Sequence, residues 1–211
     1  KKLVKELGRM GFIWKAGGVR AHTVDLEMLK FWKENGCVIV VYGIESGSST
    51  MLKVMEKKTS LEQNIEAMRV TYEAGISTVS NNILGYPDET RELIFDTIEL
   101  TRKLKCTDIN AFTFTPYHGT SLRGLCEKKN YLEKDTLAHI YVRDSLLNMD
   151  SISKEEIRGL MKTFVLYARL PRSYWKNIKI AEAETSEGIE KYNELMNLYK
   201  KEYKQVSLAR D

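Results

Sequence analysis

Short apolar runs and segments of helical periodicity alternate along the first half of the chain. Runs rich in β-branched and aromatic residues, which are typical of strands, begin near positions 12, 38, 77 and 109. Segments with apolar residues three and four positions apart, which predict helices, lie between them at 24–35, 61–74 and 90–104. Because a helical crossover returns the chain to the same end of a sheet, this order predicts parallel strands and an α/β fold.

Capping signals predict where several helices begin. Thr23 is a candidate N-cap, and Ser60 with Gln63 has the spacing of a capping box. Ser153 and Glu156 repeat that spacing later in the chain.

The pattern changes after about residue 120, and no convincing strand follows. Helices are predicted over 135–147, over 153–170 and from Ser186 onward. We therefore expect two parts: an α/β part over 1–120 and an α-helical C-terminal extension over 121–211.

The composition is that of an ordinary globular protein. Hydrophobic residues make up 43% and charged residues 29% of the 211 positions. No apolar run approaches the ~18 residues of a membrane helix, so no membrane partner is expected. The net charge of +4 is too thinly spread to predict nucleic-acid binding. Three cysteines in no metal-ligand spacing favour a reducing, cytoplasmic location.

The second apolar run ends in a group of small and polar residues. Glycines and hydroxyls surround Glu45 in the stretch Gly43-Ile44-Glu45-Ser46-Gly47-Ser48-Ser49. Glycine lets a ligand approach the backbone, and a carboxylate accepts hydrogen bonds from hydroxyls. An alternative stays open, in which Ser48 or Ser49 caps a short helix over 51–56 and Glu45 is simply exposed.

The next two strand ends also carry unusual residues. In the stretch 81–90, a tight turn with Asp88 as helix N-cap explains Gly85 and Pro87, but it does not explain the amide of Asn81 inside a strand. The last run ends in Pro116-Tyr117-His118, where the histidine is either an acid–base group or an ordinary surface residue. Arg20 follows the first strand and is expected at the same sheet edge, where it binds an anion or pairs with a carboxylate.

These strand ends, in this order, resemble the second half of a radical S-adenosylmethionine (radical SAM) enzyme core. The likeness covers about residues 10–125. The motifs that carry it are Gly43-Ile44-Glu45-Ser46-Gly47-Ser48, Met55-Glu56-Lys57, Ala74-Gly75-Ile76, Ile83-Leu84-Gly85-Tyr86-Pro87-Asp88-Glu89-Thr90 and Phe114-Thr115-Pro116-Tyr117-His118-Gly119-Thr120. Together with the later Leu170-Pro171-Arg172-Ser173-Tyr174-Trp175, they are similar to the branch that often carries an upstream cobalamin-binding domain.

The resemblance implies a partial parallel (β/α) barrel, with four visible strands of an expected six and the helical extension behind them. It also implies an enzyme that reductively cleaves S-adenosylmethionine at a [4Fe–4S] cluster and generates a 5′-deoxyadenosyl radical. The implied cofactors are S-adenosylmethionine, the cluster and, through the branch, cobalamin. The substrate and the outcome of the reaction stay open.

The resemblance also implies roles for individual residues. Glu45, or its neighbours Ser46 and Ser48, would contact the ribose of S-adenosylmethionine, and Lys57 would face its carboxylate. Asn81 would lie near the ribose. The wall and backbone contacts of the adenine would come from Ile83, Gly85 and Pro116. Candidates for contact with the substrate, or for a direct catalytic role, are Arg20, Tyr117 and His118.

One departure from the family is large. The family holds its cluster with three cysteines spaced Cys-x3-Cys-x2-Cys, and Cys37, Cys106 and Cys126 do not have that spacing. The sequence also lacks an initial methionine. We therefore expect a piece of a longer protein, inactive by itself and without metal ligands of its own. An upstream segment would supply the first two strands and the cluster cysteines.

Two other functions are considered. One is a phosphate- or nucleotide-binding α/β enzyme, although no phosphate-binding glycine motif follows a strand. The other is a non-catalytic module whose C-terminal lysines and tyrosines bind RNA or a protein. There, Tyr192 and Tyr199 fall on the apolar stripe of a helix and the lysines alternate with glutamates, which favours a solvated helix face. Nucleic acid is therefore not the expected partner.

Overall fold

The structure is a computed structural model that describes residues 1–133, 135–138 and 144–204. In that part of the chain the strands are β1 (Trp14–Val19), β2 (Cys37–Glu45), β3 (Ser77–Leu84) and β4 (Asp108–Thr113). The α-helices are α1 (Lys2–Arg9), α2 (Leu26–Glu34), α3 (Ser49–Val54), α4 (Leu61–Glu73), α5 (Arg91–Lys103), α6 (Ser121–Lys128), α7 (Lys154–Arg169), α8 (Trp175–Ala181) and α9 (Ser186–Tyr199). Short 3-10 turns lie at Ala21–Thr23 and Arg172–Tyr174, and a π-helical turn lies at Lys200–Lys204.

The four strands form one parallel sheet in the order β1-β2-β3-β4, with helices around them. The predicted α/β class is confirmed. The register between β2 and β3 pairs Gly43 with Asn81 and then Glu45 with Asn82. One position of β2 is therefore skipped, and this irregularity lies at the carboxyl end of the strand, where Glu45 has a left-handed φ of 64°.

Several helix starts agree with the capping prediction, and others differ. The capping boxes that begin with Ser60 and Ser153 are both present. Asp25, not Thr23, caps α2, since its carboxylate accepts a hydrogen bond from the N–H of Met28 at 2.7 Å. Thr185 caps α9, and Ser186 is its first helical residue.

The helix predicted over 135–147 is not found where the structure describes that stretch. Residues 135–138 and 144–147 are not helical. The intervening part of that prediction, 139–143, lies outside the described residues. Elsewhere in the described residues of 121–204, the prediction of a strand-free helical region holds.

The chain divides into two compact units, which are described separately below. Unit 1 comprises Lys1–Asn82 and Leu100–Asn110, and unit 2 comprises Ile83–Glu99 and Ala111–Asp211. Strands β3 and β4 and helix α5 each contribute residues to both units. The boundary near residue 120 that the sequence suggested stays a prediction.

Unit 1 packs its helices on strands β1 and β2. The buried side chains of Val40, Tyr42 and Ile44 alternate with less buried residues along β2, because successive strand residues point to opposite faces. The hydroxyl of Tyr42 lies 2.8 Å from that of Thr71 in α4 and ties this helix to the strand.

Unit 2 is built around helix α7, whose apolar face is fully buried. Ile157, Leu160 and Phe164 follow at helical spacing and are at most 1% exposed. The rings of Phe95, Tyr167 and Trp175 form an edge-on cluster with centroids 5.1–5.5 Å apart.

Among the described residues, no helix has the length and apolar character needed to cross a membrane. The cytoplasmic location stays a prediction.

Candidate functional site

In unit 1 the structure brings together Glu45 and Lys57, two of the candidates named from the sequence. The Lys57 ammonium donates to Oε1 of Glu45 at 3.0 Å and also to the carbonyl of Gly43. Both side chains are 23% exposed, so the pair lies at the surface of the unit and open to a ligand. A carboxylate that can accept from hydroxyls stands beside a cation that can bind a second carboxylate.

Gly43 makes this pair possible. A Cβ at Gly43 would lie 3.2 Å from Nζ of Lys57 and closer still to the carboxylate of Glu45. The two charged groups therefore occupy the space above a strand residue that has no side chain.

The two serines after β2 have local structural roles. Oγ of Ser48 accepts a hydrogen bond from the N–H of Met51, so Ser48 is the N-cap of α3. This agrees with the alternative in which a serine of this stretch caps a short helix. Oγ of Ser46 accepts the N–H of Ser48 at 3.1 Å. Both residues are at most 4% exposed. Their contact with a ribose stays a prediction.

Asn81 has a side-chain partner on the neighbouring strand. Its Oδ1 accepts from Nδ2 of Asn110 at 3.0 Å, and its position in β3 is opposite Gly43. Asn82 is on the buried face, where its amide bonds to Ser80 and to the carbonyl of Asn110. Of the two adjacent amides, Asn81 is therefore the one whose face is partly exposed.

In unit 2 the loop after β3 is shaped by one buried carboxyl group. Oε2 of Glu89 accepts the backbone N–H groups of Gly85 at 2.6 Å and Tyr86 at 3.2 Å. Glu89 has no exposed surface, and its other oxygen, Oε1, has no hydrogen-bond partner among the described residues. Burial raises the pKa of Glu89 to about 7, although the two N–H groups oppose the shift.

Asp88 does not cap α5, contrary to the sequence-based expectation. It has a φ of 64°, and its carboxylate accepts from Lys129 at 2.6 Å and from the hydroxyl of Tyr131. These bonds hold the pKa of Asp88 below its usual range. The hydroxyl of Thr90 accepts the N–H of Leu93 in the first turn of α5 instead.

Pro116 is buried in the loop after β4, and a buried arginine fixes its backbone. Arg123, 7% exposed, donates to the carbonyl of Pro116 at 3.2 Å and to Oε1 of Glu127 at 2.7 Å. The loops after β3 and β4 also meet inside unit 2. The rings of Tyr86 and Phe114 lie 4.8 Å apart, and the N–H of Phe114 donates to the carbonyl of Leu84 at 2.8 Å.

The three candidates for substrate contact are exposed. Arg20 follows β1 directly, and Tyr117 and His118 precede the helix that Thr120 caps. Tyr117 is 47% exposed. Their roles stay predictions.

Comparison with known proteins matches the first half of the chain to one family. The model of the radical SAM superfamily matches residues 2–101. This part of the chain belongs to the radical SAM superfamily. The resemblance found in the motifs of the strand ends is confirmed.

Individual relatives extend the likeness beyond residue 101. The chain is 31% identical to an uncharacterized methyltransferase of Pyrococcus horikoshii over 167 residues, 78% of this chain and 36% of that protein. It is 33% identical to an anaerobic magnesium-protoporphyrin IX monomethyl ester cyclase of Cereibacter sphaeroides over 98 residues, 46% of this chain and 16% of that protein. The chain therefore spans about a third or less of these relatives.

The fold of a solved radical SAM enzyme covers nearly the whole chain. The apo structure of the cobalamin-dependent S-adenosylmethionine radical enzyme OxsB aligns with 93% of this chain and 34% of its own, at a TM-score of 0.59 and 14% identity. The four parallel strands and their helices thus match part of a radical SAM barrel, as expected.

The cysteines of this chain do not fit the iron–sulfur cluster that the family implies. Cys37, Cys106 and Cys126 are all buried and form no disulfide, and the first two are in a different unit from the third. Burial raises the pKa of Cys37, and it raises the pKa of Cys126 to about 11, whereas a cluster needs thiolates. The described residues contain no group of three or more His, Cys, Asp or Glu side chains that could hold a metal ion.

The two charged groups of unit 1, by contrast, fit parts of S-adenosylmethionine. A ribose offers hydroxyls to the Glu45 carboxylate, and the amino-acid end of the molecule offers a carboxylate to the Lys57 ammonium. The Glu45 carboxylate and the Lys57 ammonium both lie in the space beside Gly43, at the end of the same strand.

Two residues that support these loops were not singled out in the sequence. Glu89 could have been found from its position four residues after Gly85, because a carboxyl group at that distance can reach the N–H groups of a turn. Arg123 gave no signal, since its spacing to Glu127 is that of an ordinary exposed helix pair.

Proposed function

We propose that this chain forms part of the S-adenosylmethionine-binding region of a radical SAM enzyme. The observation that carries the proposal is the pair of Glu45 and Lys57 over Gly43, at the end of a strand inside the residues that match the family. Ligands of parallel α/β folds bind at the carboxyl ends of strands, where this pair stands.

In this proposal the charged groups bind the polar parts of the ligand. Lys57 would exchange its bond to Glu45 for one to the carboxylate of S-adenosylmethionine. The Glu45 carboxylate would then accept hydrogen bonds from the ribose hydroxyls, and the hydroxyls of Ser46 and Ser48 would donate to them or accept from them. Asn81 would lie near the ribose, which agrees with its place opposite Gly43 in the sheet register.

For the adenine, we propose contacts with Ile83, Gly85 and Pro116, as the family resemblance implies. Ile83 gives an apolar surface, and Gly85 and Pro116 give backbone in two loops that meet within the unit. Because Glu89 and Arg123 fix those loops from inside, the backbone groups would be oriented before the ligand arrives and would exclude water from it.

The whole protein's activity is proposed as the reductive cleavage of S-adenosylmethionine for radical chemistry on a substrate that Arg20, Tyr117 or His118 contacts. The bound S-adenosylmethionine supplies that radical chemistry, and this chain binds and orients it. Since the cysteines here do not fit a [4Fe–4S] cluster, we assign the cluster ligands to an upstream segment. We also propose cobalamin as a cofactor of the whole protein, because a cobalamin-dependent enzyme shares the fold.

A binding measurement on the whole protein tests the proposal. Calorimetric titration of S-adenosylmethionine should show binding that weakens roughly tenfold or more in Lys57→Met and Glu45→Gln, because each loses a charge-assisted hydrogen bond. Lys58→Met is the matched control, since Lys58 is exposed and adjacent. Parallel titrations with ATP and with RNA separate the two other functions, and binding of either one alone would overturn the proposal.

Iron content tests the assignment of the cluster. The isolated chain, reconstituted with iron and sulfide, should hold no cluster, and co-expression with the upstream segment should restore it together with S-adenosylmethionine cleavage. Iron held by the isolated chain and lost in Cys37→Ser or Cys126→Ser would contradict the assignment.

Three of the described residues in the RNA-binding alternative, Tyr192, Tyr199 and Lys191, have partners within unit 2. Tyr199 is buried, and the Lys162 ammonium lies 5.7 Å from the ring centroid of the half-buried Tyr192. Lys191 pairs with Glu194 at 2.5 Å. These aromatic residues pack within unit 2, so they are not presented for stacking on bases.

A further inference from the structure

The loop after β3 takes its shape from Glu89, but its position depends on where α5 begins. Glu89 closes the turn at Gly85 and Tyr86 from within the loop itself. Arg91 follows two residues later as the first residue of α5. A group that holds Arg91 therefore holds the exit of this loop.

The group that holds Arg91 comes from far along the chain. The carboxylate of Glu182, at the end of α8, accepts hydrogen bonds from both terminal nitrogens of the Arg91 guanidinium, at 2.5 and 2.9 Å. The same carboxylate accepts the hydroxyl of Tyr167 at 2.6 Å and the ammonium of Lys179 at 3.0 Å. Glu182 is 7% exposed, and although burial opposes it, these bonds hold its pKa below the usual range. It is a buried anion whose main partner is Arg91.

Packing fixes the orientation of the Arg91 side chain. Its guanidinium lies 5.2 Å from the ring centroid of Phe95, one turn further along α5. The rings of Tyr167 and Trp175 pack in turn against Phe95. Arg91 is therefore held on one face by a ring and at its tip by a carboxylate.

Helix α7 also approaches the loop directly. A Cβ at Gly85 would lie 3.1 Å from Cδ1 of Ile157, so the glycine backbone is in close contact with this helix. Both contacts, at Gly85 and at Arg91, come from the helical region after residue 150. The helical region thus supports the loop at its start and at its end.

We propose that Glu182 is a positioning residue for S-adenosylmethionine binding, acting through Arg91 on the loop 85–90. The inference rests on the proposed function, since that function places adenine against this loop. It gives the C-terminal helical region a role in cofactor affinity.

The test uses the whole protein that contains this chain and two measurements. Glu182→Gln keeps the volume of the side chain but removes its charge. We expect its affinity for S-adenosylmethionine, measured by equilibrium dialysis, to fall roughly two- to thirtyfold. We also expect the amide hydrogens of Gly85 and Tyr86 to exchange faster than in the wild type, with smaller changes elsewhere.

Glu99→Gln is the matched control. Glu99 pairs with Arg172 at 2.7 Å, so this change also breaks an ion pair between α5 and the C-terminal helices, two turns after Arg91. Affinity and loop exchange should stay at the wild-type values. Tyr167→Phe removes one hydrogen bond to Glu182 and keeps the ring packing, and it should give a smaller change in the same direction. This variant decides the question if Glu182→Gln does not fold.

Each outcome separates the inference from the function on which it rests. If the wild-type protein does not bind S-adenosylmethionine, the proposed function fails. If the wild type binds and both Glu182→Gln and Tyr167→Phe bind equally well, only the positioning role is overturned. Faster exchange spread evenly over unit 2 would also overturn it, because that result indicates general destabilisation. Partial recovery of affinity in Arg91→Lys, compared with Arg91→Met, would support the charge as the cause.

Discussion

In unit 1 the candidate residues are held by an ion pair between side chains, whereas unit 2 holds its candidates by hydrogen bonds to the backbone. Glu45 and Lys57 are partly exposed and bond to each other. The backbone of Gly85 and Pro116 is instead bonded to the buried side chains of Glu89 and Arg123.

The difference separates two ways of preparing a binding site. A partly exposed pair of opposite charges can exchange partners when a ligand brings its own charges, at little cost to folding. A loop closed by a buried carboxyl group cannot change without leaving buried polar atoms unpaired, so its shape is set before binding. Substitutions at the buried turn formed by Gly85 and Glu89 should therefore lower stability, whereas substitutions at the Glu45–Lys57 pair should change binding with little loss of stability.

The largest effect is expected for Gly85→Ala in unit 2. Its φ of +86° strains any residue with a Cβ, and that Cβ would lie 3.1 Å from Ile157. Together, strain and crowding should lower the free energy of unfolding by about 3 kcal/mol, measured by urea denaturation. Gly119→Ala is the control, because its φ of +78° is similar and nothing lies within 4 Å. It should cost only about 1 kcal/mol. Equal losses would show that packing against α7 does not matter.

A pH-dependent effect is expected for Glu89. Its pKa is about 7 in the folded chain and 4.5 without the fold, so the folded state binds the proton more tightly. Stability should be full at low pH and decrease as the pH rises from about 5 to 8, by on the order of 2 kcal/mol. Glu89→Gln should lack this decrease in urea unfolding experiments across the same range. A variant with the wild-type slope would mean that Glu89 is ionised in the folded state throughout.

Gly43→Ala tests whether a substitution in unit 1 changes binding without lowering stability. The three atoms nearest to its Cβ would belong to the ends of the flexible side chains of Glu45 and Lys57. We expect the free energy of unfolding to change by less than about 1 kcal/mol. The ion pair should nevertheless be displaced and S-adenosylmethionine binding weakened roughly tenfold, by calorimetry. Lost stability with unchanged binding would reverse the contrast between the units.

The smallest effect is expected for Lys129→Met. Its partner Asp88 is in the loop of unit 2, but the two side chains are 39% and 48% exposed. The pair should contribute little to the free energy of unfolding, again by urea denaturation, because solvent screens exposed charges. A loss comparable to that of Gly85→Ala would show that the loop is held from outside and not by Glu89.

Much of the fold could be predicted from the sequence because its signals are local. The four strands begin within two residues of the predicted positions, and both capping boxes form. Thr23 failed as a cap because Asp25, two residues later, offers a carboxylate to the same helix start. A capping preference identifies residue types but does not choose between neighbouring ones.

The candidate site could be predicted only in part. The strand-end motifs identified the family and Glu45, Lys57 and Gly85, since glycine and charged residues at strand ends are visible in the sequence. Their partners were not visible. That Lys57 bonds to Glu45 follows from the path of the chain through α3.

The sequence by itself determined the order of the four strands and of the helices between them, the family and the residue types at the strand ends, because these depend on neighbours along the chain. Only the tertiary structure decided which groups support them. Arg91 and Glu182 are 91 positions apart, and nothing in local periodicity relates them. A buried ion pair forms where folding brings two charges out of water together, so it exists only in the folded chain.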